Sequence, residues 1–331
     1  MAVPFARAPL GPSATLDLCV VGNLTIDVIL RGVAELPQWG REVLCAGRTD
    51  TVAGQAGAMA FAAVALGIGS AVVADVGDDD AGNRIRRELS AAGVDVEAVT
   101  TVPGGATPMT VALVRPDGER TFVTDLGRLH EGGAGSWAPQ WPSASSAKVV
   151  ALVGTNNLAG LDMNNAARHF AEARRAGSLT LFDAGWDPSG WTPAVVRGIE
   201  AVLAETDLFL PNLDEARALV GESSVESVLR TLAARCPGVV VLKDGKEGSY
   251  VIDGERIRAV EALPAEVDNA VGAGDVYDAA LIAGFLQGSD ILHAMALATA
   301  AASLYVARRT DRFPTYLQCV ELAGGVTTKV M

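Results

Sequence analysis

Short apolar runs alternate with amphipathic segments along most of the chain. The apolar runs predict buried strands at 16–21, 70–76, 149–153, 179–182, 207–210, 239–242 and 248–252. Helical spacing predicts helices at 54–66, 81–92, 163–175, 213–220, 274–286 and 291–308. Strands that alternate with helices indicate a mainly parallel sheet with helices on both faces.

Two segments depart from this alternation. Residues 28–51 mix apolar and polar positions around Pro37 and Gly40, which is typical of short, partly exposed strands. Residues 107–124 read as a hairpin around Asp117-Gly118. Residues 127–146 are rich in Gly, Ser and Pro and are expected to form a loop. Without a clear linker or a 20–50 residue repeat, residues 1–331 are expected to form one domain with a small strand-built appendage.

Composition excludes several classes of function. The chain has 331 residues, half of them hydrophobic, and a net charge of −13, which disfavours general binding to nucleic acid. No uncharged apolar run is long enough for a membrane span, and residues 1–16 lack the apolar core of a secretory signal. The three histidines are scattered, so no histidine-based metal site is expected. Four cysteines without redox or metal spacing fit reduced thiols in a cytoplasmic protein: Cys19, Cys45, Cys236 and Cys319.

The segment Gly272-Ala273-Gly274-Asp275 carries the clearest candidate chemistry. It lies just before a predicted helix, and its two glycines allow a tight turn with N–H groups pointing outward. The helix adds the positive end of its dipole at the same place. Asp275, in the first helical turn, can accept the proton of an attacking hydroxyl while these N–H groups stabilise a moving phosphoryl group.

The same four residues also fit roles that involve no phosphoryl transfer. A Gly-x-Gly-Asp turn can simply begin a helix, with the aspartate stabilising its N-terminus. A dinucleotide-binding turn would need Gly or Ala where Tyr277 stands, and it would follow the first strand. The chain also lacks the Gly-x-x-x-x-Gly-Lys-Ser/Thr sequence of a P-loop.

Together with the rest of the chain, this segment resembles the C-terminal signature of the ribokinase-like (PfkB) family of carbohydrate and nucleoside kinases. Asn269 stands where that signature usually has Asp. The resemblance covers about residues 17–315. Further matching segments occur in the family's order: Val21-Gly22 with Asp27, then 54–67, 76–82, 92–95, 211–215 and 243–248.

The resemblance implies an α/β fold, a Rossmann-like α/β/α sandwich with a small β-sheet lid built from about 28–51 and 107–124. It implies a kinase that moves the γ-phosphoryl group of ATP to a hydroxyl of a small sugar-like substrate, with Mg²⁺ as cofactor. A lid suits this reaction because excluding water prevents hydrolysis of ATP. Dependence on K⁺ is left open. Family members often form dimers through their lids, so a homodimer is expected.

The resemblance also implies roles for individual residues. Asp275 is the expected base, and Gly272, Ala273 and Gly274 form the expected anion hole. The expected acceptor-binding residues are Asp27, Gly54, Gln55 and Thr25. The expected nucleotide-binding residues are Asn212, Glu215, Lys243, Gly245 and Gly248, with Glu215 acting on Mg²⁺ through water.

Structural roles compete with several of these assignments. Asp27 can be a loop cap and Gly54 an ordinary helix-start glycine. Asn212 and Glu215 also fit a helix N-cap followed by a first-turn glutamate. Lys243 can be an exposed lysine on a hairpin turn.

The acceptor pocket departs from ribose-binding members of the family. Ala58 stands where they have Asn, Gln55 where they have Lys, and Thr25 where they have Asn. Asp183-Ala184-Gly185-Trp186-Asp187 replaces their Asp-Pro-Asn-x-Arg segment. Ribose is therefore not supported, and a different sugar, a sugar acid, a sugar phosphate or a nucleoside stays open. Trp186 is a candidate apolar wall, and it and Trp191 can either stack on a ligand or pack within the protein. Asp187 in place of Arg argues against an anionic acceptor.

These departures motivate a competing function. A relative that kept the fold but lost turnover would be a catalytically silent sugar- or nucleotide-binding regulatory protein. Retention of Asp275 argues against it, because a silent protein has no chemical need for that base.

Overall fold

The computed structural model describes residues 16–127, 129, 141, 147–158, 160–266, 270–307 and 313–331. The segment before residue 16, most of the predicted loop at 127–146, and Asn269 of the signature lie outside the described residues.

A large sheet forms the centre of the molecule. Its strands are β1 (Leu16–Gly22), β4 (Ser70–Gly77), β5 (Val99–Val102), β8 (Ala147–Val153), β9 (Leu179–Asp183), β10 (Leu208–Phe209), β11 (Val239–Lys243), β12 (Ser249–Asp253), β13 (Arg256–Val260) and β14 (Thr328–Val330). Their order is β14-β13-β12-β11-β10-β9-β8-β1-β4-β5. Neighbouring strands from β11 through β10, β9, β8, β1 and β4 to β5 pair in parallel, which confirms the predicted parallel sheet. The neighbours β11, β12, β13 and β14 pair antiparallel.

Helices cover both faces of this sheet. They are α1 (Gln55–Ala65), α2 (Asp80–Ala91), α3 (Met163–Arg175), α4 (Pro193–Leu203), α5 (Leu213–Val220), α6 (Val225–Arg235), α7 (Ala273–Leu286), α8 (Ile291–Val306) and α9 (Tyr316–Ala323). Strand β1 shows the two layers: Leu18 and Val20 join one apolar cluster, while Cys19 and Val21 join the other. Because successive side chains of a strand point to opposite faces, the core lies on both sides of the sheet. In the described ranges, no helix is long and apolar enough to cross a membrane.

A smaller sheet is built from the two segments that broke the alternation. Its strands are β2 (Thr25–Arg31), β3 (Gly47–Ala53), β6 (Met109–Val114) and β7 (Arg120–Asp125), in the order β3-β2-β6-β7. The predicted turn at Asp117-Gly118 joins β6 to β7, where the amide of Arg115 donates to the carbonyl of Glu119 at 2.8 Å.

Several elements are absent from the sequence prediction: β5, α4, α6, β13, α9 and β14. Helix α4 had a readable start, because Thr192 accepts from the amide of Val195 and Pro193 follows it at the first helical position. Strand β13 also had a signal, since Gly254, which follows Asp253, begins the two-residue hairpin turn Gly254-Glu255 that joins β12 to β13.

Gly248 offers a test of how closely β12 approaches β13. Its φ is +104°, and a Cβ there would lie 2.1 Å from the carbonyl oxygen of Val260. We expect Gly248→Ala to lower the free energy of unfolding by about 3 kcal/mol or more, because the backbone must shift. Gly254→Ala is the matched control: its φ is +65°, nothing lies within 4 Å, and a loss of about 1 kcal/mol is expected. Equal losses in urea unfolding would contradict the close approach.

Candidate active site

The carboxyl ends of the parallel strands bring most of the expected site residues to one edge of the large sheet. Gly54, just before α1, has a φ of +82°, and a Cβ there would lie 2.3 Å from the carbonyl oxygen of Asn23. This contact requires glycine and holds the start of α1 against the turn that follows β1. The side chain of Asn23 accepts from the amide of Gln55 at 3.2 Å, which fixes the same junction.

Thr25 and Asp27 lie at the start of β2, and both side chains are buried. The hydroxyl of Thr25 donates to Asp27 at 2.7 Å. Burial raises the pKa of Asp27 to about 6, although the hydrogen bond from Thr25 opposes the increase. Asp27 lies within β2 and not in a loop, so its position excludes a loop-capping role.

The glycine-rich turn precedes α7 as the sequence predicts. Gly272 has a left-handed conformation with φ +86°, and the hydroxyl of Tyr305 donates to the carbonyl of Val271 at 2.9 Å. The amide of Ala273 donates to the carbonyl of Ala270 at 3.2 Å. The amides of Gly274 and Asp275, in the first turn, have no acceptor within the helix. They are the donors best placed for an anion, whereas the amide of Ala273, one of the three residues expected in the anion hole, already has an acceptor.

The carboxylate of Asp275 is buried behind this turn. Burial raises its pKa well above the usual value, and the nearby charge of Asp183 adds to the increase. Lys243 and a hydrogen bond from the side chain of Gln55 oppose it. Two glycines with positive φ, Gly154 and Gly185, make room for Gln55, since a Cβ at either would lie within 2.9 Å of its Oε1. Because its side chain donates to Asp275, Gln55 contacts the candidate base.

Lys243 lies at the carboxyl end of β11, and its side chain is only 12% exposed. Its ammonium donates to Asp183 at 2.8 Å and to both carboxylate oxygens of Asp278 at 2.9 and 3.1 Å. Burial lowers the pKa of Lys243, but the charges of Asp183 and Asp278 outweigh this, so the pKa is raised. The alternative of an exposed hairpin lysine is wrong, because these carboxylates draw the side chain inward.

Asn212 and Glu215 form a capping box at the start of α5. Asn212 accepts from the amide of Glu215 at 2.9 Å, and Glu215 accepts from the amide of Asn212 at 3.0 Å. Glu215 is nevertheless buried beside the site. Burial and the charge of Asp183 raise its pKa to about 7, with Lys243 opposing the increase. The structural role is thus present, and it also fixes a carboxylate at the same edge of the sheet.

The turn between β11 and β12 holds the two expected nucleotide-binding glycines, which differ in their surroundings. Gly245 is exposed and has free space around it, whereas Gly248 packs against the backbone of 260–262. The structure therefore gives Gly248 a packing role that needs no nucleotide.

Trp186 lies on the loop after β9 and is 54% exposed. Its ring meets the ring of Trp191 edge-on, with the centroids 5.8 Å apart. Asp187 is buried, and it accepts from the hydroxyl of Ser189 at 2.8 Å and from the amide of Trp191 at 2.6 Å. Because its oxygens are used within this turn, Asp187 gives no basis for an argument about the charge of the acceptor.

Three residues of this edge were given no role from the sequence: Asn23, Asp183 and Asp278. Asp278 carried a weak signal, because it follows Asp275 by three residues and shares its face of α7. A second acidic residue inside an apolar helix needs a buried partner, which the sequence did not identify.

Comparison with known proteins shows the family of this chain. The profile of the family described as pfkB family carbohydrate kinase matches residues 15–316. A nucleoside kinase of Methanothermobacter thermautotrophicus is 28% identical over 290 residues, covering 88% of this chain and 89% of that protein. A 2-dehydro-3-deoxygluconokinase of Thermoproteus tenax is 33% identical over 273 residues, covering 78% of this chain and 81% of that protein.

A solved structure shows the same fold. It is a provisionally named Ribokinase II from E. coli in complex with ATP and Mg²⁺. The TM-score is 0.78 at 19% identity, and the match covers 94% of this chain and 99% of that chain.

The raised pKa of Asp27 has a measurable effect on stability. The folded state holds this proton up to a pH of about 6, whereas an ordinary aspartate loses it near 3.8. The stabilising contribution is therefore complete at low pH and is lost as the pH rises through about 6. We expect Asp27→Asn to be more stable than the wild type, with the difference growing by roughly 1–2 kcal/mol between pH 5 and pH 8.

Urea unfolding at the two pH values measures this difference. Asp78→Asn makes the same substitution at an exposed turn and is the control. A pH-independent difference for Asp27→Asn would contradict burial as the cause.

Proposed function

Because the chain belongs to the pfkB family of carbohydrate kinases and moves the γ-phosphoryl group of ATP to a hydroxyl of a small sugar-like acceptor, we propose that Asp275 is its base. The observation that carries this proposal is the position of the buried Asp275 carboxylate beside the free first-turn amides of α7. A base and an anion site then lie within one helical turn. In-line transfer needs both a positioned hydroxyl and stabilisation of the moving phosphoryl group.

The proposed reaction is a direct displacement. The acceptor oxygen attacks the γ-phosphorus as its proton passes to the carboxylate of Asp275, and the bond to the bridging oxygen of ADP breaks. The amides of Gly274 and Asp275 donate to the phosphoryl oxygens, which carry the charge of the transition state. Gln55 orients the carboxylate of Asp275 through its hydrogen bond.

Mg²⁺ is the proposed cofactor, and the donors at this edge fit it. Mg²⁺ prefers oxygen ligands, keeps several waters and is usually bound through one or two carboxylates plus phosphates. Within the described residues, no three acidic, histidine or cysteine side chains form a cluster that could hold a metal ion by themselves. Glu215 is the residue proposed to act on the ion through water, with Asn212 fixing its carboxylate. When bound, Mg²⁺ supplies positive charge that neutralises the phosphates.

The acceptor is proposed to lie between β2 and the start of α7. Asp27 can accept from two hydroxyls at once, and Gly54 allows the acceptor to approach the backbone. Ala58 lies under Gly272: a Cβ added to Gly272 would be 3.7 Å from the Cβ of Ala58. This methyl group offers no hydrogen bond, and we propose that the acceptor has an apolar portion lying against Trp186. A cytoplasmic location is part of this proposal, because the reaction consumes ATP.

The principal test is ADP release from Mg²⁺–ATP in the presence of sugars, deoxy sugars, sugar acids, sugar phosphates and nucleosides. We expect one acceptor to drive ADP release in the wild type. Asp275→Asn should lower kcat by about 10²–10⁴, because it removes general-base catalysis while keeping the size of the side chain. Calorimetry should show that the variant still binds ADP.

Two controls sharpen this test. Asp80→Asn removes a first-turn aspartate from α2, outside the proposed site, and should leave kcat unchanged. Each assay is run in KCl and in NaCl, which measures whether turnover depends on K⁺. Near-normal turnover in Asp275→Asn would reject the base. Ligand binding with no ADP release from any acceptor would instead favour the silent binding protein.

A homodimer through the smaller sheet is also proposed. The registers of β2, β6 and β7 align Val28, Val111 and Val123 across one face of the sheet. Strand β7 is exposed along its whole length, and Val123 is 65% exposed. The opposite face carries Asp27. This apolar stripe across β2, β6 and β7, with Asp50 and Arg48 of β3 beside it on the same face, is suited to a second copy of the same sheet.

We expect Val123→Lys to convert a dimer into a monomer, because a charge in this apolar face would be buried in the interface. Light scattering after size exclusion measures the mass. Leu317→Lys, at an apolar position on α9 that is also well exposed, is the control and should stay dimeric. A wild type that is monomeric at micromolar concentration would contradict the proposal.

A further inference from the structure

The ammonium of Lys243 uses its hydrogen-bonding capacity within the protein. Its three N–H donors face three carboxylate oxygens: one of Asp183 and both of Asp278, all within 3.1 Å. The side chains of Asp183 and Asp278 are 6% and 1% exposed. A phosphate of ATP could be bound by Lys243 only if one of these buried pairs were broken, which is strongly unfavourable.

The same ammonium lies beside the turn at 272–275, which begins α7 and is the proposed anion site. A Cβ on Gly274 would be 3.5 Å from the Nζ atom of Lys243. Asp278 lies one turn after Asp275 on α7, so the pair with Lys243 attaches the first turns of that helix to β11. The pair with Asp183 attaches them to the end of β9 as well. Three separate parts of the chain therefore meet at one buried charge.

Given the kinase function, we propose that Lys243 is a positioning residue for phosphoryl transfer: its buried ammonium fixes the start of α7 against the ends of β9 and β11. The resemblance to the family implies instead a ligand of the nucleotide. Removing the side chain of Lys243 would have a different effect under each of the two roles. A nucleotide ligand contributes to ATP binding, whereas a positioning residue sets the alignment of Asp275 and the Gly274 amide.

The experiment compares Lys243→Met with Lys246→Met, which removes an exposed lysine three residues later on the neighbouring turn. We expect Lys243→Met to lower kcat by about 10²-fold, the size of effect produced by small misplacements of reacting groups. Its KM for ATP and its affinity for ADP should stay within about threefold of wild type. Lys246→Met should change neither value.

A second variant guards against simple loss of folding. In Lys243→Met/Asp278→Asn, the amide of residue 278 can donate to Asp183, whose side chain already contacts Asp278. This bond reconnects α7 to β9 and leaves one hydrogen-bonded carboxylate, Asp183, where Lys243→Met alone would leave two without a cation. We expect the double variant to fold and to have a kcat at least about tenfold higher than that of Lys243→Met.

Each outcome decides the proposal. A rise of tenfold or more in KM for ATP with kcat unchanged would make Lys243 a nucleotide ligand. A double variant that is unfolded, or no more active than Lys243→Met, would overturn the positioning role. Wild-type kcat in Lys243→Met alongside an inactive Asp275→Asn would reject this inference and leave the kinase mechanism intact.

Discussion

The ammonium of Lys243 lies among carboxylates at the carboxyl edge of the large sheet, and the arrangement of that edge depends on it. A buried charge is strongly unfavourable unless it is paired. Asp183 ends β9, Lys243 ends β11, and Asp278 belongs to α7, so pairing brings three elements to one point. The site can therefore hold several acidic groups in a protein with a net charge of −13, because their repulsion is balanced locally.

Small residues make the other half of the site. Helix α1 consists mainly of alanine, and it packs closely enough against α7 for Ala58 to approach Gly272. The tyrosine hydroxyl of α8 then fixes the turn through the carbonyl of Val271. The same alanines therefore give both the close packing of these helices and an apolar surface beneath the turn at Gly272. An asparagine at position 58 would add polar groups to the pocket but would also fill the space between the helices.

Local patterns predicted much of this fold. The bounds of α3 and α5 follow from their caps and apolar spacing, and the Gly-x-Gly-Asp turn located α7 with Asp275. The pairing of Lys243 could not be predicted in the same way. Its partners lie 60 and 35 residues away in sequence, and only the sheet order brings them together. Elements with weak periodicity, such as β13, form because they extend an existing sheet edge.

Burial acts on the two proposed functional carboxylates with different consequences. For Asp275, a raised pKa brings the base closer to the pH at which proton transfer is most efficient. For Asp27, the raised pKa weakens an acceptor of hydrogen bonds, because its protonated form can accept fewer of them. Hydroxyls that donate to Asp27 favour its ionised form, so acceptor binding and ionisation of Asp27 strengthen each other. If Asp27 has its proposed role, the pocket is therefore least stable when it is empty at high pH, and the acceptor supplies donors in addition to the hydroxyl of Thr25.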